Sequence, residues 1–137
     1  MLRLSAVLSV LLATLALGAT AGCGGSDEAE EDPATPAEAV AEIGEIKTLL
    51  ATAVDQVRAG DAVTAEKTVG DAYLEHFEKV EHPLGEEDHE LMEELEEAIS
   101  TELRNDMKAG EPVAEIEDSV AEIERELDEA VAALQGS

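Results

Sequence analysis

The sequence predicts an all-α protein, an up-and-down antiparallel four-helix bundle that follows a signal peptide and a disordered acidic tether. Three observations lead to this prediction. Apolar residues recur at spacings of three and four in four successive stretches of about 20 residues, as on one face of an amphipathic helix. Short segments that contain Gly, Pro or Asp separate these stretches, and short connections favour antiparallel neighbours. The alternating apolar pattern of strands does not occur in the sequence.

The first residues have the pattern of an export signal rather than of the bundle. Residues 1–22 contain Arg3 as their only charged residue, followed by an apolar run and then by small residues. The apolar run is shorter than a membrane-spanning helix needs. We therefore expect residues 1–22 to be a signal peptide that is removed on export.

The residues around the only cysteine suggest how the exported chain is held. Thr20-Ala21-Gly22-Cys23 resembles the lipobox of prokaryotic lipoproteins. The resemblance implies cleavage before Cys23, lipidation of Cys23, and anchoring in membrane lipid on the extracytoplasmic side of the cell membrane. An ordinary secretory signal with an incidental cysteine is the alternative. A single cysteine excludes an intramolecular disulfide and a Cys-rich zinc site.

Composition divides the rest of the chain into two parts. Residues 23–34 begin with the Cys and are otherwise rich in Gly, Ser, Asp, Glu and Pro, which cannot build a core. They are therefore predicted to be a flexible acidic tether. Residues 35–137 are predicted to form the bundle. Thr35 with Pro36 after it is a typical helix start, Asp61 can cap the second helix, and Pro83 is expected to end it. The four predicted helices span about residues 35–58, 62–82, 87–108 and 112–134.

The charge of the chain limits its partners. It has 34 Asp and Glu residues against 8 Lys and Arg residues, for a formal net charge of −26. Nucleic-acid binding is excluded, because phosphate contacts need clustered Lys and Arg. Dense surface acid with few Lys is also typical of proteins from salt-rich surroundings, so adaptation to salt is an interpretation of the charge that needs no binding function.

A group of histidines and carboxylates is the one candidate for chemistry. All three histidines lie between positions 76 and 89, at the predicted turn between the second and third helices. Imidazole and carboxylate together suit iron, zinc, manganese or copper. His76 falls beside the core face and is expected to be a satisfied, partly buried side chain. The predicted metal ligands are Glu78, Glu81, His82, Glu86, His89 and Glu93.

Spacing supports two pairs within this set. Glu78 and His82 are four residues apart and share a helix face, and Glu86 and His89 form a Glu-x-x-His pair three residues apart. In a chain with 34 acidic residues, however, a Glu near any His is expected by chance. A solvated acidic face with incidental histidines is therefore the alternative.

The same region carries a resemblance to a known family. Residues 60–84 resemble the extracytoplasmic helical domain of prokaryotic Ftr-type high-affinity iron permeases, and a similar segment accompanies halocyanin-like blue-copper proteins. The family pattern falls on Ala72-Tyr73, Phe77-Glu78, Glu81 and Leu84. The resemblance extends over roughly residues 37–134 and implies an envelope domain near iron or another divalent metal in transport. It also implies an iron permease or another integral membrane protein as partner.

These observations lead to an expected function without catalysis. We expect a membrane-anchored extracytoplasmic lipoprotein that binds or relays metal cations, with iron as the expected metal, to a membrane partner. The alternative is a non-catalytic helical interaction module of the cell envelope with no specific metal site. The sequence has neither a phosphate-binding Gly-rich loop nor the spacing of a catalytic triad, so it is not expected to be an enzyme.

Overall fold

The computed structural model describes residues 33–136, which form four helices packed as a bundle, as the sequence predicts. The predicted signal peptide, Cys23 and the predicted tether up to residue 32 lie outside the described residues. Helices α2 and α3 each contain one π-helical turn. The helices are α1 (Pro36–Arg58), α2 (Ala62–Ala72, the π turn Tyr73–Phe77 and Glu78–Glu87), α3 (His89–Glu97, the π turn Ala98–Glu102 and Leu103–Ala109) and α4 (Val113–Gly136).

Side-chain caps set the starts of the first three helices. Thr35 and Glu38 form a capping box at α1, in which Glu38 N donates to Thr35 Oγ1 at 3.3 Å and Thr35 N donates to Glu38 Oε2 at 2.8 Å. Asp61 accepts from the N–H of Thr64 at 3.1 Å and starts α2. Asp88 likewise caps α3, because its backbone is extended and its carboxylate accepts from the N–H of Leu91, three residues later, at 3.1 Å.

The prediction that Pro83 ends the second helix was wrong. Helix α2 continues through Pro83 to Glu87, and the chain turns at Asp88. A proline inside a helix removes one backbone hydrogen bond and crowds the preceding turn, at a cost of about 3 kcal/mol. Pro83 and Leu84 are both buried, and this burial offsets part of that cost.

The core is one aliphatic cluster to which all four helices contribute. Phe77 is fully buried in it, and burial of such a ring stabilises a fold by about 1.5–3 kcal/mol. Tyr73 was predicted to be the second core ring, but it is only partly buried, with its ring centroid 6.0 Å from that of Phe77. Val113, predicted to belong to the apolar stripe of α4, is 37% exposed at the first position of that helix.

The two π turns change which residues face the core. In α2 the N–H of Glu78 donates to the carbonyl of Tyr73, and in α3 the N–H of Leu103 donates to that of Ala98, five residues back in each case. The buried residues of α2 therefore step by five, from Ala72 to Phe77. As a result His76 lies at the edge of the core and reaches towards α1.

Candidate functional site

The first three predicted ligands lie on α2 but face two different neighbours. Glu78 and His82 line a groove between α1 and α2. Glu81 is turned towards Tyr73 and towards Glu96 on α3. Burial raises the pKa of the Glu81 carboxyl group, the hydroxyl of Tyr73 lowers it, and the charge of Glu96 raises it further. Within residues 33–136, and in the conformation described, no three His, Cys, Asp or Glu side chains are grouped closely enough to hold a metal ion.

The other three predicted ligands lie at the α2–α3 turn and on α3. Glu86 is exposed near the end of α2, whereas His89 is the first residue of α3, so the predicted Glu-x-x-His pair does not lie on one helix. The cause is the extended backbone of Asp88, which separates the two helices. His89 and Glu93 are exposed on one face of α3, with His89 Nε2 3.4 Å from Glu93 Oε1.

The groove between α1 and α2 is an open cavity of about 420 Å³ at the end of the bundle where α1 begins. Glu38 and Glu42 are four residues apart on α1, and Glu78 and His82 are four residues apart on α2. All four line this cavity together with Lys79. Side chains at this spacing share one helix face, so each helix presents two side chains that can bind a metal to the same space.

Glu42 is the most constrained carboxylate of the groove. Its Oε2 lies 2.6 Å from His76 Nδ1 and its Oε1 accepts from Lys79 Nζ at 3.0 Å. The hydrogen bond with His76 is the main reason why the pKa of Glu42 is lowered, and Lys79 lowers it further against the opposing effect of burial. Because a carboxylate can only accept, His76 Nδ1 carries the hydrogen in this pair.

Glu38 has a structural task that competes with ligand binding. Its Oε2 accepts from the backbone N–H of Thr35 at 2.8 Å and from the Thr35 hydroxyl at 2.7 Å. These bonds lower the pKa of Glu38, the backbone bond being the larger cause. A metal ion on Glu38 would weaken the helix cap, whereas a metal ion on Glu42 would replace only the exposed Lys79 at Oε1, so Glu42, Glu78 and His82 are the better candidate ligands of the groove.

A second polar cluster lies between α2 and α3. The hydroxyl of Tyr73 donates to Glu96 Oε1 at 3.3 Å, and Oε1 of Glu81 is buried with no hydrogen-bond partner in the described part of the chain. Burial raises the pKa of Glu81, and the charges of Glu96 and Glu78 add to this effect. Burial and the neighbouring Glu81 raise the pKa of Tyr73 to about 12. Glu81 is therefore a candidate ligand only towards α3, away from the groove.

An acidic cleft of about 250 Å³ between α3 and α4 carries no histidine. Glu126 is a largely buried carboxylate of this cleft, with 17% of the side chain exposed. Burial raises the pKa of Glu126, and Glu122 raises it further. The acidic residues that line the cleft are Glu94, Glu102, Asp106, Glu122 and Glu126.

Comparison with protein-family models, with characterised proteins and with solved structures finds no match for this chain. The likeness to the iron-permease domain therefore stays a prediction from residues 72–84. Among the helices of residues 33–136, none is both long enough and apolar enough to cross a membrane.

Proposed function

We propose that this chain is a lipid-anchored extracytoplasmic protein that binds a metal cation, with iron as the expected metal, and passes it to an integral membrane partner. The observation that carries the proposal is the shared groove of α1 and α2. Two of the predicted ligands, Glu78 and His82, line it together with Glu42. One imidazole and two carboxylates are a ligand set that iron(II), zinc and manganese accept.

The exposure of the groove side chains is compatible with reversible binding. Glu78 and His82 are exposed, so they can change rotamer to meet a cation without disturbing the core. Glu42, by contrast, is held in place by His76. One fixed and two adjustable ligands favour capture and release over permanent storage.

The position of the groove in the chain fits a role next to a membrane. Pro33 and Ala34 line the groove, and they directly precede the start of α1. The predicted anchor residue Cys23 precedes Pro33 by ten residues, and a segment of that length spans at most about 35 Å when fully extended. A cation in the groove would therefore remain within reach of an integral partner.

The experiment is a titration of the processed protein with iron(II) under anaerobic conditions, and with zinc and manganese, followed by calorimetry. We expect stoichiometric binding that weakens at least tenfold in His82→Ala and little in His89→Ala, the matched exposed histidine of α3. Binding should also weaken at acidic pH, because a metal ion needs the neutral imidazole. Equal binding by the wild type and His82→Ala would contradict the proposal.

The second candidate function is a helical interaction module without a metal site. Two large apolar side chains on α2 favour it, since Val63 is 83% exposed and Leu74 is 58% exposed. On this alternative the protein binds no metal stoichiometrically, and an integral membrane protein co-purifies with it. Replacement of Leu74 by Ser should then reduce that co-purification.

A further inference from the structure

A cation supplied by the chain itself already lies in the groove. Lys79 is the one Lys or Arg among the residues that line this cavity, and its Nζ lies 3.0 Å from Glu42 Oε1. Every Lys and Arg of residues 33–136 has an acidic partner, but Lys79 alone pairs with a groove carboxylate that also contacts a histidine. The Lys79 ammonium thus occupies a position where a cation contacts Glu42, a carboxylate that His76 holds in place.

A divalent metal ion and the Lys79 ammonium cannot share Glu42 Oε1. The two positive charges would repel each other at close distance. Lys79 can leave easily, because 53% of its side chain is exposed and an exposed ion pair is worth only about 0–1 kcal/mol. Glu42 stays in place when Lys79 leaves, since His76 still holds Oε2 at 2.6 Å.

We infer that Lys79 is a built-in competitor for the metal, whose ammonium occupies Glu42 in the empty groove, moves into solvent when a cation binds and returns when the cation leaves. This inference rests on the proposed function and adds a means of regulation to the same site. The competitor lowers the affinity of the groove for the metal. It also neutralises Glu42 when the metal is transferred, which makes release to a partner easier.

The test compares Lys79→Gln with Lys67→Gln, using zinc chloride as the probe. Lys67 is a matched control, because it is an exposed lysine of the same helix and pairs four residues on with Asp71, outside the groove. We expect Lys79→Gln to bind zinc about two- to fivefold more tightly than the wild type, the range expected from loss of one exposed ion pair that competes with the metal. Lys67→Gln should change the affinity less than twofold, and Lys79→Arg, which keeps the cation, should bind as the wild type does.

A second readout follows the displacement in the unmodified protein. An amine-reactive ester should label Lys79 faster when zinc is bound, because the ammonium is then free in solvent, while the labelling rate of Lys67 stays constant. Equal zinc affinity in Lys79→Gln and Lys67→Gln would overturn the inference while wild-type binding and its loss in His82→Ala still supported the proposed function. Absence of zinc binding in every variant would overturn both.

Discussion

His76 Nδ1 lies 2.6 Å from Oε2 of Glu42, a contact that joins α2 to α1 beside the groove. Both side chains are largely buried, with exposed fractions of 20% for His76 and 22% for Glu42. The contact depends on the π turn of α2, because that turn moves the core position from residue 76 to Phe77 and leaves the imidazole at the interface. It fixes one carboxylate in a groove whose other ligand-type side chains are exposed or used by a helix cap.

Replacement of Glu42 by Gln should destabilise the bundle at pH 7 by about 1 kcal/mol, because it removes one charge-assisted hydrogen bond and one exposed ion pair. The lowered pKa of Glu42 makes its contribution dependent on pH. A carboxyl group with a lowered pKa stabilises the fold above its unfolded pKa of about 4.3, and this stabilisation is lost as the pH falls through the folded value. Denaturant unfolding at pH 7 and at pH 3.5 measures it. A difference between the wild type and Glu42→Gln that is as large at pH 3.5 as at pH 7 would contradict this prediction.

Replacement of Glu126 by Gln should change the free energy of unfolding in the opposite direction. Because its pKa is raised by burial, the charged form of Glu126 opposes folding, and its cost appears as the pH rises through the folded pKa. Glu126→Gln should therefore stabilise the protein at pH 7 by about 0.5 kcal/mol, with a smaller gain at pH 4. Asp118→Asn, an exposed change on the same helix, serves as the control in the same unfolding experiment. A loss of stability at pH 7 would show that the ion pair of Glu126 with Arg125, 3.5 Å away, outweighs the cost of burying the charge.

Gly70 should tolerate a methyl group although it is buried. A Cβ added there would lie 3.5 Å from Cζ of Arg104, an ordinary contact, and Arg104 Nε donates to Glu66 at 2.8 Å beside it. Ala is favoured over Gly inside a helix by about 0.5–1 kcal/mol, so Gly70→Ala should raise the free energy of unfolding by up to that amount. Gly70→Leu should lower it, because the longer side chain would push the guanidinium away from Glu66. Thermal unfolding of the two variants tests both changes in stability. Equal melting temperatures of Gly70→Ala and Gly70→Leu would show that the Arg104 guanidinium does not lie close to Gly70.

Deletion of Leu74 should be tolerated better than deletion of a residue from a regular helix. Leu74 is an exposed residue of the first π turn, and its removal lets that turn become α-helical without moving the flanking core residues. Deletion of the exposed Thr48 in α1, which has no π turn, should rotate half of that helix by about 100° and bury polar side chains. Circular dichroism during denaturation should show cooperative unfolding for the Leu74 deletion and its loss for the Thr48 deletion. Similar losses in both would contradict the register argument.

The four helices could be predicted because the caps and the apolar stripes agree. Thr35 and Asp61 cap the helices for which they were proposed, and the stripes form the core. The continuation through Pro83 could not be predicted, because burial of the ring is a tertiary effect.

The π turns, in contrast, left a signal in the sequence. In α3 each core residue follows the previous one by four positions. In a regular α-helix this spacing would rotate the apolar face by about 40° per step, so it favours a turn wider than that of an α-helix. These residues are Leu91, Leu95, Ile99, Leu103 and Met107.

The candidate site was predicted only in part. The spacing of Glu78 and His82 correctly placed them on one face of α2, and both line the groove. Their neighbours Glu38 and Glu42 were missed, because sequence alone does not tell which polar positions of two antiparallel helices meet. Glu86 and His89 were paired by spacing, but the cap at Asp88 separates their helices.

The most direct test of the proposed metal site is to locate the metal in crystals. Crystals of the protein soaked in zinc or iron(II) should give an anomalous-difference peak between α1 and α2, within about 2.0–2.2 Å of a nitrogen of His82 and of a Glu42 or Glu78 oxygen. The Lys79 side chain should have left Glu42 in the same crystals. A strong peak at His89 and Glu93 with an empty groove, or no ordered peak on the bundle at all, would contradict the proposed site.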